Sequence, residues 1–376
     1  MENDGECTMS DKKAKGDHSP KKDAQMEIFS RTVTMKDISE RAGVSMGTVD
    51  RALHNRGRIS EETKRHILQI ADELKYQRNN FARALSVHNR VNILAIYPLE
   101  PVQYMNNFSR GFQSTLDKLS DYGLRLDILR PRTLEPTDFL ESVKDVDIDK
   151  YDGILINAGG ALVNPFINEA VRKRKLVATF NSDTPTSKRH FFCGEDHWAA
   201  GALSAELIAK MLRGRGTVKL FSGSFSVYAL QQRTKGFTDT IESEYPDIRV
   251  IGNISHEDDK EHSMERAENF LFESSMPDAI FCNNAIGAYP ICSILEKHKV
   301  HPYPIVVGYD DDQALEGMLH KGICTAMMYQ NPKKQASTAL DYMFHCLYDG
   351  QSIPTIEKCL IVPSIVMEKN IGICRF

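Results

Sequence analysis

From Val91 onward, short apolar runs alternate with stretches of helical periodicity, and this alternation constrains the fold more than any other feature of the chain. Strands that alternate with helices at this spacing predict a parallel, doubly wound sheet. The pattern restarts near residue 190, which predicts two similar α/β lobes with a cleft between them. The predicted strands read VNILAIYPL, RLDILRP, DGILINAGG and LVATFNSD, then HFFCGED, TVKLFSG, IRVIGNISH, DAIFCNN, IVVGYDD and ICTAMMYQ.

Polar side chains follow several of these predicted strands, at the carboxyl ends where open α/β sheets bind ligands. Amides, carboxylates and a guanidinium suit a polyhydroxylated ligand, because each can make paired hydrogen bonds to neighbouring hydroxyl groups. Each of them, taken singly, is more often an ordinary turn or cap residue, but their recurrence at successive strand ends favours a ligand site. The polar candidates are Asn181, Asp183, Arg233, Asn284, Asp310 and Gln330, and the aromatic candidates for stacking on a sugar face are Tyr104, Phe108, Phe225 and Tyr228.

A second pattern, between Thr34 and Leu74, predicts three short helices. Gly43 can end the first helix with a positive φ, and Ser45 can cap the second. Two helices joined by a short turn and braced by a third are typical of a helix-turn-helix, although a small bundle without a ligand has the same pattern. Residues 33–90 carry 11 Lys and Arg against 7 Asp and Glu, within a chain of net charge −4, which favours a polyanionic partner for this segment.

One long run of this segment has a recognisable set of motifs, VTMKDISERAGVSMGTVDRALHNRGRISEETKRHILQIADELKYQRNNFARALS. It contains, in order, T-x-x-D-I, A-G-V-S, T-V-x-R, S-E-E-T, a tyrosine and N-x-x-A-R-x-L. The run resembles the DNA-binding headpiece of the LacI/GalR (lactose-repressor) family. Residues 91–365 are similar to the periplasmic sugar-binding proteins of ribose type, the domain expected behind such a headpiece.

The resemblance implies roles for individual residues. Base contacts in the major groove are implied for Met46, Gly47, Asp50 and Arg51, and phosphate contacts for Thr34, Ser45, Thr48, Asn55, Arg56 and Arg58. A hinge helix in the minor groove is implied for Asn79, Ala82, Arg83 and Leu85, with Leu85 wedged between base pairs. In the second domain the residues that match sugar contacts are Asn181, Arg233, Asn284, Asp310 and Gln330.

Asp50 is unexpected on a surface that faces DNA phosphates. Its carboxylate can accept a hydrogen bond from cytosine N4, or it can repel phosphate and so exclude wrong binding registers. Alternatively, it pairs with His54 one turn later or faces solvent. The chain departs from the family at Asp50, where serine is common, at Gly47, where a longer side chain usually reads a base, and at Arg78, where proline is common.

The predicted organisation has four parts: a disordered polar tail (1–31), the helix-turn-helix headpiece (32–78), a hinge helix with its linker (79–90), and a two-lobed effector-binding and dimerisation domain (91–376). Passages between the lobes are expected near 193–197, 325–331 and 350–356. The fold class is therefore an all-α headpiece followed by a periplasmic-binding-protein-like (type I) α/β domain with parallel, doubly wound sheets.

The functional prediction is a cytoplasmic, homodimeric transcription regulator that binds a pseudo-palindromic DNA operator and a small effector, a sugar or sugar derivative. We expect no membrane association, because no apolar run approaches the roughly 20 residues that span a bilayer. We expect no metal or cofactor either, and we interpret HEDDKEH (256–262) as a solvated loop. The scattered cysteines are expected to be reduced thiols. The alternatives are an envelope solute-binding protein and, with less support, a carbohydrate-active enzyme.

Overall fold

A computed structural model of the protein describes residues 35–54, 59–74, 90–257, 262–273, 275–310, 313–349 and 357–372. The chain divides into two units, one ending at Asn79 and the other beginning at Asn80. The described part of the first unit contains helices α1 (Met35–Ala42), α2 (Met46–His54) and α3 (Glu61–Glu73).

The three helices of the first unit pack around a small apolar core. Ile38, Val49 and Ile67 are its fully buried members, one from each helix. Gly43 ends α1 with a φ of +65°, a left-handed conformation that glycine adopts without steric cost. The Ser45 Oγ then accepts a hydrogen bond from the Thr48 backbone N–H at 3.2 Å and so caps α2. The helix-turn-helix geometry thus follows from the residues that predicted it.

The second unit contains two six-stranded sheets, each of which forms one lobe. The first sheet has the order β11-β5-β4-β3-β1-β2 and is entirely parallel, and the second has the order β12-β10-β9-β8-β6-β7 with only β12 antiparallel to its neighbour. The strands are β1 (Val91–Ile96), β2 (Leu124–Leu129), β3 (Gly153–Ile156), β4 (Leu176–Phe180), β5 (Phe191–Gly194), β6 (Gly216–Ser222), β7 (Ile248–Ser255), β8 (Ala279–Cys282), β9 (Ile305–Tyr309), β10 (Ala326–Tyr329), β11 (Lys358–Leu360) and β12 (Ser364–Val366).

Helices cover both faces of each sheet, which explains why most strands are apolar throughout rather than alternating. In the first lobe one face packs against α4 and α12 and the other against α5 and α6; in the second lobe one face packs against α7 and α8 and the other against α9, α10 and α11. These helices are α4 (Val102–Leu119), α5 (Pro136–Val143), α6 (Asn164–Arg172), α7 (His197–Met211), α8 (Tyr228–Glu244), α9 (Ser263–Phe272), α10 (Ala288–Lys297), α11 (Gln313–His320) and α12 (Pro332–Tyr348).

The chain passes between the lobes three times. The first passage follows β5 at residues 195–196, and the second follows β10 at residues 330–331. The third passage lies at residues 361–363, between β11 in the first sheet and β12 in the second, so the expected range of 350–356 was wrong. The reason is the pairing of β11 with β5, which places Lys358–Leu360 in the first lobe.

Helices α7 and α8 approach each other closely enough to require glycine on both. A Cβ added at Gly201 would lie 2.0 Å from the Arg233 carbonyl oxygen, and one added at Gly236 would lie 1.9 Å from the Trp198 carbonyl oxygen. Neither oxygen can move aside, because both belong to helix backbone. This contact sets the position of α8 and therefore of Arg233.

Two further expectations concern the whole chain. No described helix is long and apolar enough to cross a membrane. The cysteines that the structure describes are free thiols, as expected, and five of the six are buried: Cys193, Cys282, Cys292, Cys324 and Cys346.

Candidate functional site

Asn181 and Asp310 occupy corresponding places in the two lobes, each directly after a central strand. Asn181 follows β4 with a φ of 62°, and Asp310 follows β9 with a φ of 60°. Asn and Asp are the side chains that best tolerate this left-handed region, because their short polar groups can hydrogen-bond locally. The turn directs both side chains to the region between the lobes, where they join one hydrogen-bonded cluster.

Asn181 is the centre of the first-lobe part of this cluster. Its Nδ2 donates to the Tyr104 hydroxyl at 2.9 Å, to the Gln330 Oε1 at 2.9 Å and to the Gln335 Oε1 at 3.1 Å. Its Oδ1 accepts from the Asn157 Nδ2 at 3.2 Å. Gln330 belongs to the second passage between the lobes, so Asn181 is directly bonded to a segment that connects them.

Arg233 is the centre of the second-lobe part. Its Nε donates to the Glu195 Oε1 at 2.7 Å, its Nη1 to the Asn283 carbonyl at 3.0 Å and its Nη2 to the Gln330 Oε1 at 3.0 Å. The guanidinium also lies over the Tyr309 ring, 3.9 Å from its centroid. Gln330 therefore accepts from both Asn181 and Arg233 and links the two parts of the cluster.

The charges in the cluster are balanced by close pairing. Burial raises the pKa of Glu195, but the Arg233 charge and hydrogen bonds from His197 and Tyr309 outweigh it and lower the pKa to about 2. Burial dominates at Asp310, where it raises the pKa to about 7 despite the Arg233 charge and the hydrogen bond from Gln330. Glu195 is therefore ionised and neutralises Arg233, whereas Asp310 titrates near neutral pH.

The two lobes also meet away from the cluster. Leu134 from the first lobe packs against Val227 and Leu230 from the second. The Tyr228 backbone N–H donates to the Gly159 carbonyl at 3.1 Å, and this bond also joins the lobes. Such contacts form only when the lobes are close together, so the described arrangement has a closed cleft.

The structure brings together five of the predicted ligand-binding residues, namely Tyr104, Asn181, Arg233, Asp310 and Gln330. Asp183 instead forms a buried ion pair with Arg189, at 2.5 Å and 2.6 Å, within the first lobe. The Asn284 Oδ1 accepts from the backbone N–H groups of Ile286 and Gly287, each at 3.3 Å, and so closes the turn before α10.

The aromatic candidates differ in their exposure. Tyr104 belongs to the cluster, Tyr228 is half-buried, and Phe225 is 47% exposed. Phe108 is fully buried in the core of the first lobe, where its ring lies 5.4 Å from that of Phe180, so the expectation that it stacks on a sugar was wrong. It faces the sheet because it lies one helical turn after Tyr104 on the covered face of α4.

Sequence reasoning missed several members of the site. Glu195 follows β5 and Gln335 lies one turn into α12; both are fully buried and both bond directly to predicted residues. The position of Glu195 directly after a strand could have identified it as a member of the site, whereas nothing in the sequence pattern distinguishes Gln335 from any other glutamine on a helix. His256, assigned to a solvated loop, is in fact buried, and its Nε2 lies 3.0 Å from the Asn284 Oδ1.

In the first unit, the residues implied for DNA contact that the structure describes share the solvent-facing side of α2. Met46, Gly47 and Arg51 are exposed and Asp50 is half-buried. The Arg51 Nη2 donates to the Thr48 hydroxyl at 3.2 Å, which holds the guanidinium along this face. The implied contacts that lie outside the described residues are Thr34, Asn55, Arg56, Arg58, Asn79, Ala82, Arg83 and Leu85.

Comparison with known proteins supports both units. Residues 34–79 match the family described as "Bacterial regulatory proteins, lacI family", and residues 94–351 match "Periplasmic binding protein domain". The probable HTH-type transcriptional repressor ExuR of Bacillus subtilis (strain 168) is 27% identical over 285 residues, covering 74% of this chain and 82% of that protein. The HTH-type transcriptional repressor PurR of Histophilus somni (strain 2336) is 22% identical over 347 residues, covering 90% and 98%.

A solved structure with the same two-lobed fold is that of an ABC transporter solute-binding protein from Burkholderia graminis C4D1M in complex with D-arabinose. It aligns with a TM-score of 0.70 at 22% identity, covering 76% of this chain and 98% of that one. This level of identity shows the fold alone.

These findings define a protein with a helix-turn-helix DNA-binding unit and a periplasmic-binding-protein-like unit, so the predicted fold class is confirmed. Residues 34–79 match a LacI-family helix-turn-helix domain, the larger unit belongs to the periplasmic-binding-protein domain family, and the chain is a DNA-binding transcriptional regulator. The alternative of an envelope solute-binding protein without DNA function does not account for the lacI-family match.

Proposed function

We propose that a small polyhydroxylated molecule, a sugar or sugar derivative, controls the DNA affinity of this regulator by binding between the lobes. The observation that carries the proposal is the buried cluster around Asn181, Arg233 and Gln330, which draws on both lobes and on a segment that connects them. The affinity of a ligand in contact with this cluster would depend on the arrangement of the two lobes, and its binding would shift that arrangement.

The chemistry of the cluster suits hydroxyl groups. Asn181, Gln330 and Gln335 offer amide donors and acceptors, and Arg233 offers several donors in a fixed plane. In the described structure these groups bond to one another, at distances of 2.9 Å to 3.1 Å. Neighbouring sugar hydroxyls can replace such bonds without leaving a buried polar group unpaired, which an apolar ligand cannot do.

The balance of charge favours a neutral effector. Glu195 neutralises Arg233 at a distance of 2.7 Å, and Asp310, whose pKa is raised to about 7, is either neutral or negative, so the described cluster has no surplus positive charge. An anionic sugar would have to be buried beside Glu195 without a free cation to pair with it, which is costly. We therefore rank neutral monosaccharides and polyols above sugar phosphates and sugar acids.

Control of DNA binding would follow from a preference of the effector for one state of the cleft. An effector can shift the equilibrium only by the difference between its affinities for the two states, typically about 1–3 kcal/mol. The contact of Leu134 with Val227 and Leu230, and the bond between Gly159 and Tyr228, belong to the closed state. A ligand that bridges Asn181 and Arg233 would favour the same state.

For DNA recognition, we propose that the exposed face of α2 enters the major groove. Met46, Gly47, Asp50 and Arg51 would meet base edges, and Ser45 and Thr48 would lie near phosphates. Thr34, Asn55, Arg56 and Arg58 would add phosphate contacts, and the segment from Asn79 to Leu85 would occupy the minor groove. Two headpieces on a symmetric homodimer would then bind a pseudo-palindromic operator in the cytoplasm.

The edges of the two sheets support dimerisation. The sheet orders end on β2 and β7, whose apolar residues Ile128, Ile251 and Ile254 are 46%, 37% and 41% exposed. Exposed apolar side chains on edge strands usually mark an interface, since an open edge otherwise promotes aggregation. A non-enzymatic role is supported by relatives that are named as transcriptional repressors.

A thermal-shift screen of the full-length protein tests the effector proposal, because a ligand that binds the native state raises its unfolding temperature. The panel contains neutral pentoses, hexoses and polyols, with their phosphates and acids as the charged arm. We expect a shift with at least one neutral member, and a smaller shift with Asp310→Asn. Shifts confined to the charged arm would contradict the neutral assignment, and no shift with any member would contradict the sugar proposal.

A further inference from the structure

Two cysteines lie directly opposite each other at the edge of the first sheet. Cys193 on β5 pairs in register with Cys359 on the three-residue strand β11, and both belong to the core face covered by α12. Side chains of paired residues in a parallel ladder point to the same face, and neighbouring strands lie about 4.8 Å apart. This separation falls within the range of about 4.4–6.8 Å between Cα atoms that a disulfide spans.

The two thiols differ in environment. Cys359 is half-buried, whereas Cys193 is fully buried and its Sγ lies 3.5 Å from the Gln335 carbonyl oxygen. The hydrogen bond with Cys193 lowers the pKa of Cys359 below its usual range; burial opposes this effect and the Lys334 ammonium adds to it. The same pairing, together with burial, raises the pKa of Cys193. Cys359 is thus the more accessible and the more nucleophilic of the two.

We propose that Cys359 and Cys193 form a reversible oxidation site, in which Cys359 reacts with a peroxide and Cys193 resolves the product as a disulfide. In the first step the Cys359 thiolate attacks one peroxide oxygen, the O–O bond breaks, and a sulfenic acid and hydroxide form. In the second step the Cys193 sulfur displaces the sulfenic hydroxyl, which leaves as water with the thiol proton. The peroxide is reduced by two electrons, and the two sulfurs are oxidised to the disulfide.

Other cysteines of the chain provide the comparison that makes this pair distinctive. Cys292 and Cys324 lie side by side in the second lobe, but both are fully buried, at 0% and 2% exposure. Burial raises the pKa of Cys346 on α12. Of the described cysteines, only Cys359 combines partial exposure, a lowered pKa and a neighbouring thiol.

The position of the pair gives the oxidation a structural consequence. Strand β5 leads into the first passage between the lobes, and β11 leads into the third. A disulfide between them would fasten a short edge strand to the sheet and tie together two of the three connecting segments. It would also draw the Cys193 Sγ away from the Gln335 carbonyl oxygen. Because the Gln335 side chain bonds to Asn181, this change would lie next to the cluster that contains Asn181.

The test uses the full-length protein treated with hydrogen peroxide, followed by mass spectrometry of unreduced peptides. We expect a linked Cys193–Cys359 peptide pair, with loss of two hydrogens, that dithiothreitol reverses. In Cys193→Ser, which removes the resolving thiol but keeps a hydrogen-bonding hydroxyl beside Cys359, dimedone should capture a persistent sulfenic acid on Cys359, formed about tenfold or more faster than oxidation of Cys292. Cys346→Ser is the matched control and should form the linked pair like the wild type.

Hydrogen exchange provides a readout that does not depend on any variant. The Ile361 N–H, which donates to the Gly194 carbonyl at 2.7 Å, should exchange more slowly in the oxidised protein and return to its original rate after reduction. The proposal is overturned if oxidation of the wild type links neither thiol, or if Cys359 in Cys193→Ser reacts no faster than Cys292. Linkage of Cys359 to a cysteine other than Cys193 would equally overturn it.

Discussion

Replacing Glu195 by glutamine removes the charge that pairs with Arg233 while preserving the size and shape of the side chain. Glu195 is fully buried and accepts from the Arg233 Nε at 2.7 Å and from the Tyr309 hydroxyl at 2.7 Å. Loss of one partner from a buried ion pair leaves the other charge without compensation, at a cost of about 3–5 kcal/mol. We therefore expect Glu195→Gln to lower the free energy of unfolding of the second unit by about this amount.

The pH dependence gives an independent estimate of the same quantity. The folded pKa of Glu195 is about 2, below its ordinary value of 4.5, so its contribution to stability is complete above pH 4.5 and is lost as the pH falls toward 2. Linkage across this interval amounts to about 3 kcal/mol. In Glu195→Gln this part of the acid-induced loss of stability should be absent.

The assay is urea unfolding followed by the fluorescence of Trp198, the single tryptophan of the chain, at the start of α7. Glu206→Gln is the matched control, because it makes the same chemical change in an exposed pair with Lys210 at 2.8 Å. Exposed pairs of this kind contribute about 0.3–0.5 kcal/mol. The reasoning is refuted if Glu195→Gln destabilises the protein no more than Glu206→Gln does.

Three further predictions concern other parts of the chain. The pKa of Asp310 is raised to about 7 from an ordinary 3.8, so the folded state favours its protonated form, and stability should decline as the pH rises from about 4 through 7. Thermal unfolding of Asp310→Asn should show less of this decline, and an unchanged decline would contradict the raised pKa of Asp310. Gly236→Ala should lower the unfolding temperature, because its Cβ would lie 1.9 Å from a backbone oxygen. Gly317→Ala, whose Cβ would have no atom within 4 Å, should instead stabilise its helix by about 0.5–1 kcal/mol. Equal effects of the two substitutions in calorimetry would show that the close contact between α7 and α8 does not require glycine. Asp50→Ser should select different operator sequences from a random DNA library, and identical sites with identical ranking would show that Asp50 neither reads nor excludes bases.

The alternating pattern predicted the architecture well because it reflects a simple physical requirement. A strand covered by helices on both faces must be apolar throughout, as β3 (Gly153–Ile156) and β4 (Leu176–Phe180) are, and such runs are visible without any tertiary information. The third passage was misplaced because β11 (Lys358–Leu360) is only three residues long and half exposed. Its composition does not distinguish a strand from a loop.

The site was predictable only where a residue follows a strand. Asn181, Asp310 and Gln330 lie at strand ends, and their convergence follows from the topology of parallel sheets. Gln335 belongs to the cluster because it bonds to Asn181 from the covered face of α12. Asp183 does not belong to it, because its carboxylate pairs with Arg189, six residues later in the chain. Contacts of this kind depend on side-chain packing and have no signature in the pattern of residues.

The most direct test of the whole account measures the affinity of the full-length protein for an operator selected from random DNA, with and without a sugar that shifts its unfolding temperature. The account predicts sequence-selective binding that falls steeply with added salt and that the sugar changes by about 5–150-fold, the range expected for a coupling of 1–3 kcal/mol. In Asp310→Asn the change caused by the sugar should shrink while the affinity without sugar is retained. A sugar that binds the protein but leaves its operator affinity unchanged would contradict the account.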